Sequence, residues 1–318
     1  MFLENALQSE NSFWKYLVGS LVVFTASVIG QLPWLIVVLV NVFQTGRSFP
    51  TTETEMMNFL DLNATLFLLL LSFAFALFSL FIVLKYIHKQ SFLSVTTSRK
   101  KVDWKRILFS FLLWSIVTAG STLVVYISSP ENFVLNFKPI PFLILAIIGI
   151  LMIPIQTTTE EYVFRGYLMQ GFALLAKNRW FPLLMTSVIF GTMHIANPEV
   201  GKMGYIVLVY YIGTGLFLGI ITLMDDGMEL ALGFHAANNL VTALLVTSDW
   251  SAFQTHSIFK DISEPSAGLE VLVPVLILFP ILLFIFSKKY KWNNWQAKLT
   301  GPLDNTIHST SQNPDTYE

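Results

Sequence analysis

Three groups of polar residues lie within apolar stretches of this sequence. They comprise Glu160, Glu161 and Arg165; Phe190 and His194; and His235 and Asn239. An ionisable side chain costs roughly 2.5–3.5 kcal/mol at the centre of a membrane helix, so several of them together indicate a function. Carboxylate and imidazole groups can activate a water molecule, and amide groups can stabilise developing negative charge. The three groups therefore predict a hydrolytic site.

The spacing within the first group gives its two carboxylates different roles. Residues four positions apart share one face of a helix, so Glu161 and Arg165 can form an ion pair. Glu160 is rotated by about 100° from Glu161 and points elsewhere. We expect the ion pair to reduce the cost of burial and Glu160 to be the reactive carboxylate.

The other two groups supply a base, donors and packing. Glu160 and His194 together can polarise a water molecule and pass its proton to the leaving amine. His235 and Asn239 are four apart and can donate hydrogen bonds to an oxyanion. Phe190 is expected to shape the pocket by packing. Each polar residue alone could instead be an interhelical hydrogen-bond partner, and their conjunction favours hydrolysis.

The composition is that of a polytopic membrane protein. Hydrophobic residues make up 54% of the 318 residues and charged residues 12%, and the mean hydropathy is +0.63. These values are too apolar for a soluble domain, and no basic patch suggests nucleic-acid binding. The chain has no cysteine, which excludes disulfides, thiol nucleophiles and cysteine-ligated metals.

The hydropathy pattern predicts an all-α bundle of about eight transmembrane helices. The first apolar stretch is too long for a cleaved signal peptide and is expected to be the first span. The predicted spans lie near residues 16–42, 63–87, 106–127, 140–176, 181–197, 204–224, 229–247 and 271–287. A loop rich in Lys and Arg follows the second span and is expected to be cytoplasmic, which places both termini inside. The lipid bilayer is thus one partner, and the expected location is a bacterial plasma membrane.

Some segments need a finer interpretation. Residues 140–176 are too long for one span. Either residues 142–150 form a separate piece and the span begins near Gly149, which we favour, or the helix is tilted and extends into the cytoplasm. Gly213, Gly215 and Gly219 indicate close helix packing. His88 is expected to be solvated in the basic loop.

The domain organisation follows from these elements. Residues 1–130 are expected to hold the first three spans, residues 131–250 the catalytic core, and residues 251–300 an external loop and the last span. The polar residues 301–318 are expected to be a disordered cytoplasmic tail.

The three motifs, EExxxR, FxxxH and HxxxN, resemble those of the CPBP intramembrane proteases. This is the CAAX protease and bacteriocin-processing family, also called Abi, and the resemblance covers about residues 139–250. It implies an endopeptidase with a cavity open to the cytosol and a membrane-anchored or hydrophobic peptide substrate. By the family's pattern, Glu160 and His194 activate the water, His235 and Asn239 stabilise the oxyanion, and Glu161 and Arg165 support them. Eukaryotic members trim prenylated CAAX proteins, and bacterial members are linked to bacteriocin processing or immunity.

A catalytic metal is an open alternative. The family is often described as metalloproteases, and Glu160, His194 and His235 could hold zinc with one open position. Zinc proteases, however, more often use HExxH, whereas HxxxN supplies only one strong ligand. The sequence favours a metal-independent glutamate protease with no required cofactor.

Two other classes of function fit some of the same residues. A noncatalytic bacteriocin-immunity protein or membrane scaffold would bind without cleaving. A transporter could also use buried Glu, Arg and His along its pathway, although no internal repeat is visible.

Overall fold

The computed structural model describes residues 2–8, 11–266 and 268–303. Within this part of the chain the structure is helical, with three short strands. Five of its helices are long and apolar enough to cross a membrane, so the predicted all-α polytopic fold is confirmed. The five are Phe13–Thr45, Leu62–Ile87, Trp104–Ser128, Pro139–Ala176 and Val207–Asp225.

The helices and strands follow one another along the chain with short connections. The α-helices are α1 (Phe13–Thr45), α2 (Glu53–Asn58), α3 (Leu62–Ile82), α4 (Phe92–Thr96), α5 (Trp104–Ser128), α6 (Pro139–Glu161), α7 (Met169–Ala176), α8 (Trp180–Thr192), α9 (Pro198–Met203), α10 (Val207–Asp225), α11 (Glu229–Leu245), α12 (Phe279–Tyr290) and α13 (Trp295–Thr300). Short 3₁₀ segments occupy Phe2–Gln8, Pro130–Asn132 and Leu269–Leu272, and π-helical segments occupy Val83–Ile87, Tyr162–Leu168 and Pro274–Leu278. The strands are β1 (Phe133–Leu135), β2 (Val246–Ser248) and β3 (Phe259–Asp261).

Each of the eight predicted spans coincides with a helix. Three of these helices are shorter than a full crossing: α8 has 13 residues, α11 has 17, and α12 has 12 after its π-helical start. A helix rises ~1.5 Å per residue, so α8 extends for only ~20 Å and ends within the depth of a bilayer. Among the residues that follow this end, His194 is half-buried, whereas Met193 and Ile195 are exposed.

The structure corrects the prediction for residues 140–176. These residues form one continuous helix of 38 residues, so the expected separate piece at residues 142–150 is wrong. Pro154 lies inside α6 without interrupting it, as is common in membrane helices where neighbouring groups satisfy the backbone. At ~1.5 Å per residue the helix is ~57 Å long, and its ends extend beyond a ~30 Å hydrocarbon core.

Charged side chains tie several segments together at one end of the bundle. Arg99 pairs with Asp225 at 2.9 Å and with Glu229 at 3.0 Å, and Lys298 pairs with Asp226 at 2.7 Å. These contacts join the loop before α5, the turn between α10 and α11, and α13. All three segments were predicted to lie on the cytoplasmic side.

A three-stranded sheet covers the opposite end. β3 is the central strand, antiparallel to β1 and parallel to β2. β1 lies shortly before α6, and β2 directly follows α11. The sheet therefore links the N-terminal end of α6, which carries Glu160, to the C-terminal end of α11, which carries His235.

His88 is buried rather than solvated, so that prediction is wrong. Its side chain is hydrogen-bonded to Asn11 at 2.7 Å and to Tyr167 at 2.8 Å. These contacts form because the start of α1 packs over the end of α3. Burial, together with the positive charge of Lys15, lowers the pKa of His88 to about 4.

Of the predicted tail, the structure describes residues 301–303, and the backbone N–H of Leu303 donates to the Lys177 carbonyl oxygen at 3.1 Å. Residues 304–318 lie outside the described residues.

Glycines allow neighbouring helices to approach closely. A Cβ atom at Gly215 would lie 2.9 Å from the Ser187 carbonyl oxygen, which confirms close packing of α10 on α8. A Cβ atom at Gly233 would overlap the carbonyl oxygen of Ile107, where α11 packs on α5. Neither backbone contact can be relieved by rotating a side chain.

We predict that Gly233→Ala destabilises the protein by roughly 1–3 kcal/mol, the usual cost of overpacking a close contact. Gly120→Ala on α5 is the control, because no atom lies within 4 Å of its Cβ position. Thermal unfolding in detergent would compare the two variants. Equal melting temperatures would contradict the close approach of α11 and α5.

Candidate active site

Three segments bring the predicted site residues together inside the bundle. Glu160 and Glu161 are the last two residues of α6, and Arg165 lies in the π-helical segment that follows. His194 lies just after α8, and His235 and Asn239 lie on α11. π-helical segments of this kind are frequent at functional sites.

Glu161 and Arg165 form the predicted ion pair. Arg165 Nη1 lies 2.9 Å from Glu161 Oε1, and both side chains are fully buried. Arg165 Nη2 donates a second hydrogen bond to the carbonyl oxygen of Gly215 at 3.2 Å. The pair is thus confirmed, and it connects the end of α6 to α10.

His235 lies between the two adjacent carboxylates. Its Nδ1 is 2.7 Å from Glu161 Oε1, and its Nε2 is 3.2 Å from Glu160 Oε2. An ionised carboxylate can only accept a hydrogen bond, so the contact with Glu161 places a proton on Nδ1 of His235. The contact between Nε2 and Glu160 is within ion-pair distance. Arg165 and the Nδ1–H group of His235 together reduce the cost of burying Glu161.

Glu160 is also connected to Asn239, through a residue that the sequence analysis missed. Gln156 Nε2 donates to Glu160 Oε1 at 2.9 Å, and Gln156 Oε1 accepts from Asn239 Nδ2 at 3.0 Å. The Glu160 side chain is 14% exposed, whereas that of Glu161 is 0% exposed. Of the two carboxylates, Glu160 is therefore the one that a small molecule can reach.

His194 lies in a turn rather than on a helix, because α8 ends at Thr192. Its Nδ1 is 2.7 Å from the carbonyl oxygen of Phe190, one of the carbonyls left unpaired at a helix end. A carbonyl only accepts, so this contact places the proton of neutral His194 on Nδ1 and leaves Nε2 as the acceptor. The ring stacks on Tyr211 at 4.3 Å.

Phe190 lies where the three motifs meet. The centre of its ring is 4.7 Å from that of His194 and 6.0 Å from that of His235. The guanidinium carbon of Arg165 lies 4.4 Å from the same ring centre. His194 is close enough to Glu160 for an electrostatic interaction.

The donor set does not fit a metal ion in this arrangement. Among the described residues, no group of three His, Cys, Asp or Glu side chains could hold one. Both ring nitrogens of His235 face carboxylates, which leaves neither of them free for a metal, whereas Nδ1 of His194 donates to a backbone carbonyl and leaves its Nε2 free. The zinc set of Glu160, His194 and His235 therefore lacks the geometry of a preformed site.

Comparison with known proteins gives a family match for one segment of the chain. Residues 138–241, which contain all three motifs, match the family model described as type II CAAX prenyl endopeptidase Rce1-like. This segment is Rce1-like. The resemblance predicted from the three motifs is confirmed.

The Rce1-like segment also has a bacterial relative. The uncharacterized protein YyaK of Bacillus subtilis (strain 168) is 28% identical over 249 residues, which cover 78% of this chain and 82% of the relative. No solved structure gives a significant match. At the level of the family, the match supports a membrane-embedded CAAX-type protease.

We predict that proteolysis by the purified protein survives treatment with 1,10-phenanthroline, because the site lacks a preformed metal-binding geometry. Elemental analysis of the same preparation should give less than one equivalent of zinc. Loss of activity on chelation, restored by added zinc, would contradict the metal-independent assignment.

Proposed function

We propose that this chain is an intramembrane endopeptidase that hydrolyses a peptide bond of a membrane-anchored or hydrophobic peptide substrate. The observation that carries the proposal is the position of His235, in contact with both carboxylates inside an apolar bundle. His235 and Glu161 are 74 positions apart in sequence, so folding, not local spacing, brings them together. The family match supports the same class of reaction.

In the proposed reaction, Glu160 and His194 activate the water. Glu160 accepts a proton from the water as the water oxygen attacks the carbonyl carbon of the substrate. His194 Nε2, left as an acceptor by the bond from Nδ1 to Phe190, assists this transfer. The proton then passes to the amine as the C–N bond breaks, so the products are a carboxylate and an amine.

His235 and Asn239 are the proposed donors to the oxyanion. The Asn239 amide carries two N–H groups, of which Gln156 accepts one. His235 Nε2 can turn from Glu160 to the oxyanion once Glu160 has taken a proton. This exchange would supply the second donor at the step where negative charge develops.

We predict that Glu160→Gln lowers kcat by about 10²-fold or more, since the amide cannot accept the proton. The assay would use protein in lipid nanodiscs with two fluorogenic peptides, one carrying a farnesylated cysteine and one hydrophobic but unprenylated. Glu131→Gln is the control, because Glu131 is exposed between α5 and β1.

Turnover by Glu160→Gln at the wild-type rate would refute the proposed role. The alternative of a noncatalytic bacteriocin-immunity or scaffold protein predicts that partner binding or protection survives Glu160→Gln. Cleavage of only one peptide would show whether the prenyl group is recognised.

We further propose that both termini are cytoplasmic, as the Lys and Arg distribution indicates. The absence of native cysteine allows single cysteines to be labelled without background. We predict that Lys101→Cys reacts with an impermeant maleimide only in inside-out vesicles, and Glu264→Cys only in right-side-out ones. Both positions are exposed. The reverse pattern would contradict the orientation.

A further inference from the structure

A chain of four hydrogen bonds connects α5 to Glu160. Trp114 Nε1 donates to Asn238 Oδ1 at 3.0 Å, and Asn238 Nδ2 donates to Asn239 Oδ1 at 3.1 Å. Asn239 Nδ2 donates to Gln156 Oε1 at 3.0 Å, and Gln156 Nε2 donates to Glu160 Oε1 at 2.9 Å. All four bonds point in one direction, from the indole to the carboxylate.

The groups at the two ends of this hydrogen-bond chain determine which partner donates at each step. An indole N–H can only donate, and an ionised carboxylate can only accept. Turning the amide of Asn238, Asn239 or Gln156 would place two donors or two acceptors against each other. Tyr210 also lies near Asn238, but a hydroxyl can donate or accept and so imposes no direction.

This chain of hydrogen bonds is shielded from water at several points. Trp114 is 5% exposed and Gln156 is 4% exposed. The Trp114 ring packs on that of Phe234 at 4.5 Å. Hydrogen bonds in such surroundings are stronger than in water, and successive bonds polarise one another.

We propose that Trp114, Asn238 and Gln156 are positioning residues that orient the Asn239 amide and hold Glu160 as a carboxylate. The inference rests on the proposed function for the roles of Asn239 and Glu160. Trp114 lies outside residues 138–241, so the working unit extends beyond the Rce1-like segment. None of the three residues needs to touch the substrate.

The test is Trp114→Phe, which removes the indole donor and keeps an aromatic ring against Phe234. Trp104→Phe is the matched control, because Trp104 lies on the same helix and is 73% exposed. Gln156→Met breaks the chain at its other end with little change in side-chain length. Gln156→Met also tests the proposal if Trp114→Phe does not fold.

We expect Trp114→Phe to lower kcat by about 2- to 12-fold, the range that corresponds to one net hydrogen bond, with KM unchanged. Gln156→Met should lower it at least as much. The acid limb of the kcat profile should move to higher pH, because fewer donors stabilise the Glu160 carboxylate. The other charged or titratable groups near Glu160 are Glu161, Arg165, His194 and His235, which both variants leave in place.

Infrared spectroscopy provides a readout that does not need turnover. The carboxylate band of Glu160 is the one that disappears in Glu160→Gln. It should titrate at higher pH in Trp114→Phe and Gln156→Met than in wild type or Trp104→Phe. Unchanged titration and an unchanged kcat profile in the two variants would overturn the inference, whereas turnover by Glu160→Gln would instead overturn the proposed function.

Discussion

The placement of two adjacent carboxylates inside an apolar bundle is the constraint on which the rest of the structure depends. Glu161 is fully buried and needs compensation, which Arg165 supplies as an ion pair and His235 Nδ1 as a contact of 2.7 Å. Removing one partner of a buried pair costs about 3–5 kcal/mol, because a charge is left unpaired. The contacts that make the bundle stable are therefore also the contacts that assemble the candidate site.

The architecture serves this cluster in three ways. The π-helical segment after Glu161 carries Arg165, which bonds to α10 through Gly215. The early end of α8 leaves His194 in a turn beside Phe190. The sheet of β1, β2 and β3 links the N-terminal end of α6 to the C-terminal end of α11, and the ion pair of Arg99 with Glu229 links the N-terminal end of α11 to the loop before α5. Both ends of α11, which carries His235 and Asn239, are thus fixed.

The features that the sequence predicted correctly are those that depend on local periodicity. The spacing of four positions identified the pair of Glu161 and Arg165, and hydropathy located all eight helical segments. The sequence did not predict contacts that depend on how one helix is rotated and shifted relative to another. Gln156 lies four residues before Glu160 in an apolar stretch, and that spacing was the available signal. Two sets of contacts connect separate helices and have no local signature in the sequence. They are the contacts of His235 with both carboxylates and the hydrogen bond of Trp114 to Asn238.

The central claim is that Glu160, His235 and Asn239 surround the reacting carbonyl of a peptide. The most direct measurement is an experimental structure with a peptide phosphonate, whose tetrahedral phosphorus group resembles the hydrolytic intermediate. We expect one phosphonate oxygen within hydrogen-bond distance of Asn239 and His235, and another beside Glu160. A phosphonate bound away from these residues, or a metal ion held by Glu160, His194 and His235, would contradict it.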